Sequence, residues 1–267
     1  MKTGSHPGQR HPPRGASGPP LVLLHGFLGT PAAWDAVLAA LPDHGEVWCP
    51  WLPGHGPAPP GPGSFDEAAQ WLADAVPAGA VLAGYSMGAR LALAATLRRP
   101  GAARATLLVG GHVGLATPSE RAERAALDAR RAAALRDGDL AAFVDGWQAQ
   151  PLFATQLALP AAAQAAQRAA RMAHDPRALA WAFEVAGLAQ MPDLRPALAV
   201  TRQRVCFTTG ALDTRFGTLA AALVRPPWVD HRVVPDAGHN LLLEAPAAVA
   251  QLLRVLTGGA VNAPSQR

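Results

Sequence analysis

Cysteine is nearly absent: 267 residues contain two, Cys49 and Cys206, and both fall inside apolar runs that read as strands. A disulfide-built fold is thereby excluded, and buried free thiols in a reducing cytoplasm are expected. Long apolar runs are missing as well. None reaches the roughly 20 residues of a membrane span, and the N-terminus lacks the apolar core of a signal peptide. The sequence therefore predicts a soluble protein with no membrane span. The 23 basic residues outnumber the 19 acidic ones, for a net charge of +4, yet they are scattered and nearly all arginine. With no Lys/Arg block and no interleaved aromatic patch, nucleic acid is not the expected partner, and anionic small molecules fit better.

What is present is one sizeable α/β domain's worth of chain, half of it hydrophobic, with room for an insertion but not for a second full domain. Its centre is Val81 to Leu93, where a short apolar run ends at Gly84 and Gly84-Tyr85-Ser86-Met87-Gly88 leads into a helical pattern. This reads as strand, sharp turn and helix, with a serine hydroxyl pushed out at the carboxyl end of the strand. Before it come a strand at Leu21 to Leu24, a helix from Pro31 to about Leu41 and a strand at Glu46 to Pro50. Ser64 and Glu67 form a capping box opening a further helix. Ala105 to Val109 is the next strand.

From Gly110 to about Ala199 only helices are readable, opened by Thr117-Pro118 with Glu120, by Asp139, by Pro160 and by Asp175-Pro176. Strands return at Arg204 to Thr209 and His231 to Pro235, and a helix from Pro246 to Leu256 closes the pattern. Alternating strands and helices with short connections predict a doubly wound, mostly parallel sheet of the α/β class. The organisation that follows is a disordered leader over 1–19, an α/β core over 20–110 and 200–258, a helical lid over 111–199 and a flexible tail over 259–267. Taken singly, the lid residues Arg121, Arg124, Arg130, Arg131, Arg168, Arg171 and Arg177 read as solvated helix faces, with about two turned inward.

Ser86, Asp213 and His239 each leave a successive strand end in the chain order of the α/β-hydrolases, which predicts a nucleophile or base, an orienting acid and an imidazole proton carrier. Asp236, three residues before His239, competes for the acid role. The backbone N–H groups of Phe27, after His25-Gly26, and of Met87 are the candidate oxyanion donors. His25 itself reads as a structural histidine of its own loop and His55 as a turn residue. Acyl transfer, C–C bond hydrolysis and proton abstraction beside a carbonyl are all open to this machinery. A non-catalytic receptor on the same fold is a further reading, against which the intact Ser86, Asp213 and His239 argue.

Several segments resemble the 2-succinyl-6-hydroxy-2,4-cyclohexadiene-1-carboxylate synthases of menaquinone biosynthesis. They are Leu24-His25-Gly26-Phe27-Leu28-Gly29, Leu52-Pro53-Gly54-His55-Gly56, Gly84 to Arg90, Gly110 to Leu115, Glu120-Arg121-Ala122-Glu123-Arg124, Trp147 to Phe153, Pro192-Asp193-Leu194, Gly210 to Phe216 and Ala237 to Asn240. The resemblance implies a lyase that eliminates pyruvate without a metal or organic cofactor. It also implies a polycarboxylate substrate anchored by Arg90, Arg124 and Arg171, with Tyr85 and Trp147 lining the pocket; Arg168, one turn from Arg171, competes with it. A monomer or weak homo-oligomer is expected. Ala89 stands where the family has a second glycine and Trp51 where it has an aspartate. These departures leave open a carboxylesterase or C–C bond hydrolase acting on an anionic molecule.

Overall fold

A computed structural model of the protein describes residues 7–15, 18–57, 61 and 63–258. Seven strands, β1 (Gly8–His11), β2 (Leu21–Leu24), β3 (Val47–Pro50), β4 (Ala80–Tyr85), β5 (Ala103–Val109), β6 (Val205–Gly210) and β7 (Val229–Val234), make one sheet. Their order is β1-β3-β2-β4-β5-β6-β7. Every neighbouring pair is parallel except β1 with β3.

Strand alternation sorts the core into two layers. Val22, Leu24, Leu82 and Leu108 join the layer under α2 (Phe65–Ala75) and α3 (Met87–Arg98). Leu21, Leu23, Val81, Leu107 and Val109 face the layer under α1 (Asp35–Ala39), α10 (Leu241–Glu244) and α11 (Pro246–Thr257). Both faces are covered, which is why the strands read as continuous apolar runs. Each fully buried valine or leucine among them stabilises the fold by about 1.5 to 3 kcal/mol.

The winding reverses at β2, which has β3 on one side and β4 on the other. In such a sheet the crevice at the carboxyl ends of the strands flanking the reversal is where ligands bind. The register sets Leu24 opposite Gly84, so the His25 loop and the Ser86 turn emerge side by side.

Between β5 and β6 the described chain is helical: α4 (Pro118–Asp137), α5 (Leu140–Gln148), α6 (Ala161–Met172), α7 (Pro176–Ala186) and α8 (Arg195–Val200), with a 3₁₀ segment at Pro151–Ala158. Thr117 opens α4 with a complete capping box on Glu120; Asp139 and Asp175 cap α5 and α7. The block has its own apolar core of Ala132, Leu135, Val144, Leu179 and Phe183, into which Phe27 and Leu28 of the β2 loop insert. Of the core helices, α9 (Thr214–Ala221) follows β6. Among the described residues no helix is long and apolar enough to cross a membrane.

Two expectations need correcting. Residues 8–11 do not belong to a disordered leader: they form β1, an antiparallel edge strand on β3. Arg10 pairs with Glu46 at 3.2 Å and its guanidinium lies 5.3 Å from the Trp48 ring centre. An edge strand held by backbone pairing needs no apolar alternation, so hydrophobic periodicity misses it. The capping box at Ser64 is half formed, because Glu67 Oε2 accepts from Gly63 N at 2.8 Å and not from the Ser64 backbone. Residues 1–6, 16–17 and the 259–267 tail lie outside the described residues.

Candidate active site

Ser86 sits between β4 and α3 with φ 52° and ψ −106°, a left-handed strain that a non-glycine residue adopts only when its surroundings force it. They do so by close packing. A Cβ at Gly84 would lie 2.4 Å from the Gly88 backbone, and one at Gly88 would lie 2.4 Å from the His25 carbonyl oxygen. The Ser86 N–H donates to the Val109 carbonyl at 2.8 Å, pinning the turn to β5.

His239, buried after β7, has Nε2 3.3 Å from Ser86 Oγ. Its Nδ1–H donates to Asp213 Oδ2 at 2.7 Å, and that carboxylate is buried too. Asp213 leaves β6 and caps α9, accepting from Phe216 N at 3.4 Å. With Nδ1 donating, Nε2 is left as the acceptor for the serine proton. Asp236, the competing acid, is exposed with φ 55° and makes no such contact. Gly110, at φ +57°, lets His239 approach: a Cβ there would lie 2.6 Å from His239 Cε1.

The loop that presents Phe27 is held by two buried imidazoles in a reciprocal arrangement. His25 Nδ1–H donates to the Gly26 carbonyl at 2.8 Å, while its Nε2 accepts from Leu52 N at 3.1 Å. His55 Nδ1–H donates to the Pro53 carbonyl at 3.1 Å and its Nε2 accepts from Leu28 N at 3.1 Å. Each histidine thus grips the other's loop, so His55 does more than occupy a turn. Burial pushes the pKa of His25 down to about 3 and that of His55 well below its ordinary value, and both stay neutral acceptors. His174, in the turn between α6 and α7, accepts from Gly56 N at 3.3 Å.

A cavity of about 710 Å³ opens over Ser86. Phe27, Ser86, Met87 and His239 form its floor; Arg90, Arg124, Arg131 and Trp147 stand among its walls. Arg124 Nε donates to the buried Asp128 at 2.8 Å. Arg90 Nη1 donates to the Ala186 carbonyl at 2.9 Å. Burial first, then repulsion from Arg124, pushes the Arg90 pKa down to about 9, so it is still charged at neutral pH. His112 senses the same field: burial, then Arg90, Arg215 and Arg124, push it down to about 4.

The α/β-hydrolase family model matches residues 21–252. Over 240 residues the chain is 37% identical to a 2-succinyl-6-hydroxy-2,4-cyclohexadiene-1-carboxylate synthase of Enterobacter sp. (strain 638), covering 88% of this chain and 90% of that one. The chain belongs to this synthase family of α/β-hydrolases. The synthase of Escherichia coli O1:K1 is 34% identical over 245 residues, covering 88% and 94% of the two chains. Among solved structures, MenH from S. aureus superposes with a TM-score of 0.88 at 25% identity, covering 94% of this chain and 97% of that one. A Thermogutta terrifontis esterase, with a TM-score of 0.73 at 21% identity and coverage of 94% and 93%, shares the fold.

Of the residues implied by the synthase resemblance, Arg90, Arg124 and Trp147 face the cavity, and Tyr85 and Arg171 do not. Phe153, from the 3₁₀ segment, takes the wall position: the Arg171 guanidinium lies over that ring at 5.7 Å, with Nη1 buried and unpartnered. Tyr85 packs behind, its ring 5.5 Å from His239. Arg168 is exposed and paired with Asp145 at 2.8 Å. Trp51 lies edge-on to His25 at 5.9 Å and to His174 at 6.0 Å, so an aromatic edge joins the two loops. Ala89 is fully buried on α3.

Sequence reasoning missed the cavity roles of Arg131, Phe153, Phe183 and Phe216. For Arg131 a signal existed. It lies seven residues after Arg124, on the same helical face.

Proposed function

We propose that this protein eliminates pyruvate from 2-succinyl-5-enolpyruvyl-6-hydroxy-3-cyclohexene-1-carboxylate, giving 2-succinyl-6-hydroxy-2,4-cyclohexadiene-1-carboxylate. The observation that carries the reading is a serine–histidine–aspartate group at a cavity whose lining sets Arg90, Arg124, Arg131 and Arg215 against two glutamates, Glu120 and Glu123, in a chain similar to these synthases over nearly its whole length. Three substrate carboxylates match those arginines, since guanidinium forks bind carboxylates with two parallel hydrogen bonds and keep their charge when partly buried.

In this reading Ser86 is a base relayed through His239. Its Oγ takes the proton next to the succinyl ketone while passing its own to His239 Nε2, and Asp213 stabilises the imidazolium that results. The N–H groups of Phe27 and Met87 hold the developing enolate oxygen. As the enolate collapses, C2=C3 forms, the C3=C4 pair moves to C4=C5 and the C5–O bond to the enolpyruvyl group breaks; the leaving enolate takes up the proton that His239 gained, which yields pyruvate and restores the neutral imidazole. Arg90 and Arg124 anchor carboxylates. Arg171 joins them by rotation of the Phe153 ring, which would give its unpartnered Nη1 an acceptor. The helices α4 to α8 act as the lid that excludes water, as suits a reaction in which nothing is hydrolysed.

The test is incubation with the cyclohexene substrate in oxygen-labelled water. Pyruvate should appear with no stoichiometric label in the ring product and no acyl adduct on Ser86. Ser86→Ala, Asp213→Asn and His239→Ala should each abolish most of the rate, because the three act as a unit. A label incorporated from water, or a trapped acyl-Ser86, would move the assignment to an esterase or C–C bond hydrolase.

A further inference from the structure

The arginines of the helical block differ in how fully they are occupied. Arg121 spends its fork on the carbonyls of Ala189, Met191 and Leu115; Arg136 is paired with Glu184, and Arg168 with Asp145. Arg131 is different. Its Nη2 donates to Gln150 Oε1 at 2.9 Å, and the Asp128 oxygen nearest Nη1 is 3.8 Å away, beyond hydrogen-bond reach. That oxygen already accepts from Arg124. A guanidinium has five N–H donors, so most of this fork is available along the cavity wall to which Arg131 belongs.

Its orientation is fixed by aromatic faces. The guanidinium carbon lies 5.0 Å from the Trp147 ring centre and 5.8 Å from that of Phe183. Stacking of this kind holds the plane of the fork and leaves its N–H edge open for a planar anion. The charge balance points the same way. Burial first, then repulsion from Arg124, lowers the pKa of Arg131, with the attraction of Asp128 smaller than that repulsion. A carboxylate entering the cavity would relieve that repulsion.

We propose that Arg131 is a further carboxylate ligand and a specificity-determining residue, binding a substrate carboxylate against the Trp147 ring. That the carboxylate is the substrate's rests on the reading of the site given above. Trp147 also contacts Phe27, with ring centres 4.9 Å apart.

The experiment measures binding of benzene-1,3,5-tricarboxylate by calorimetry to the full chain and to Arg131→Gln and Arg131→Lys. Arg131→Gln should bind at least about tenfold more weakly, the loss of one charge-assisted contact. Arg131→Lys keeps the charge and the stem but not the fork, and should be intermediate. Both variants should keep the wild-type urea midpoint, so that weaker binding reports the lost contact and not a damaged fold. Equal binding by all three proteins, or no binding by the wild type, would overturn the proposal. A wild type that binds the tricarboxylate through Arg131 yet releases no pyruvate from the cyclohexene substrate would sink the lyase reading alone. In the steady state, Arg131→Gln should raise KM for that substrate with kcat little changed.

Discussion

Gly110→Ala isolates the placement of the imidazole. The added Cβ would meet His239 Cε1 at 2.6 Å and Nδ1 at 2.9 Å, whereas carbon atoms pack at about 3.5 to 4.0 Å. The ring must therefore move by about 1 Å. His239 Nε2 is 3.3 Å from Ser86 Oγ before any displacement, so a shift of that size takes it out of hydrogen-bond range. The loss of a positioned general base should lower kcat/KM by about two to four orders of magnitude. The backbone contributes a separate cost of about 1 to 2 kcal/mol, because Gly110 has φ +57°. Gly101→Ala supplies the control: Gly101 has φ +87° and nothing within 4 Å of its would-be Cβ. Both variants should lose similar stability in urea, and only Gly110→Ala should lose turnover and fluorophosphonate labelling of Ser86. Wild-type labelling of a folded Gly110→Ala, or slow labelling of Gly101→Ala, would refute the argument.

Two further outcomes are expected. Arg90→Ala and Arg124→Ala should cost about 1.5 to 3 kcal/mol in kcat/KM on the tricarboxylate and far less on a small neutral ester; equal losses on both substrates would indicate damaged packing instead of lost recognition. Acid should destabilise the fold through His25 and His55, whose pKa values burial lowers to about 3 and well below the ordinary 6.5. Below pH 6.5 the unfolded chain binds protons that the folded chain refuses, so stability falls as pH drops from 6.5 towards 3. The slope for each histidine approaches about 1.4 kcal/mol per pH unit. Urea midpoints at pH 7, 6 and 5 measure it, and a flat profile across that range would remove both histidines from the account.

The sequence makes the triad legible because Ser86, Asp213 and His239 each follow a strand directly, and strand ends in a parallel sheet converge on one edge. The helical block was legible from its caps, as Thr117 with Glu120 shows. Other features depend on packing that no local pattern encodes. The exchange between His25 and His55 spans 27 residues, and it takes the register of β2 against β3 and the turn after β3 to bring the two rings together. Arg131 looked solvated because an arginine–aspartate–arginine stripe on a helix usually faces water; α4 turns that stripe towards the cavity. Arg168 and Arg171 are three residues apart, and only tertiary packing buries one and leaves the other on the surface with Asp145.

The triad stands on loops of the sheet, whereas Arg124, Arg131 and Trp147 stand on α4 and α5. On the proposed reading, reactivity and recognition are encoded in separate stretches of gene, with Arg90 on α3 bridging them. Drift or recombination within the stretch between β5 and β6 can redesign the anion pattern a descendant accepts without disturbing the proton relay. The same partition gives an engineer a place to graft: retain Ser86, Asp213 and His239, exchange α4 to α7, and select for a new acid.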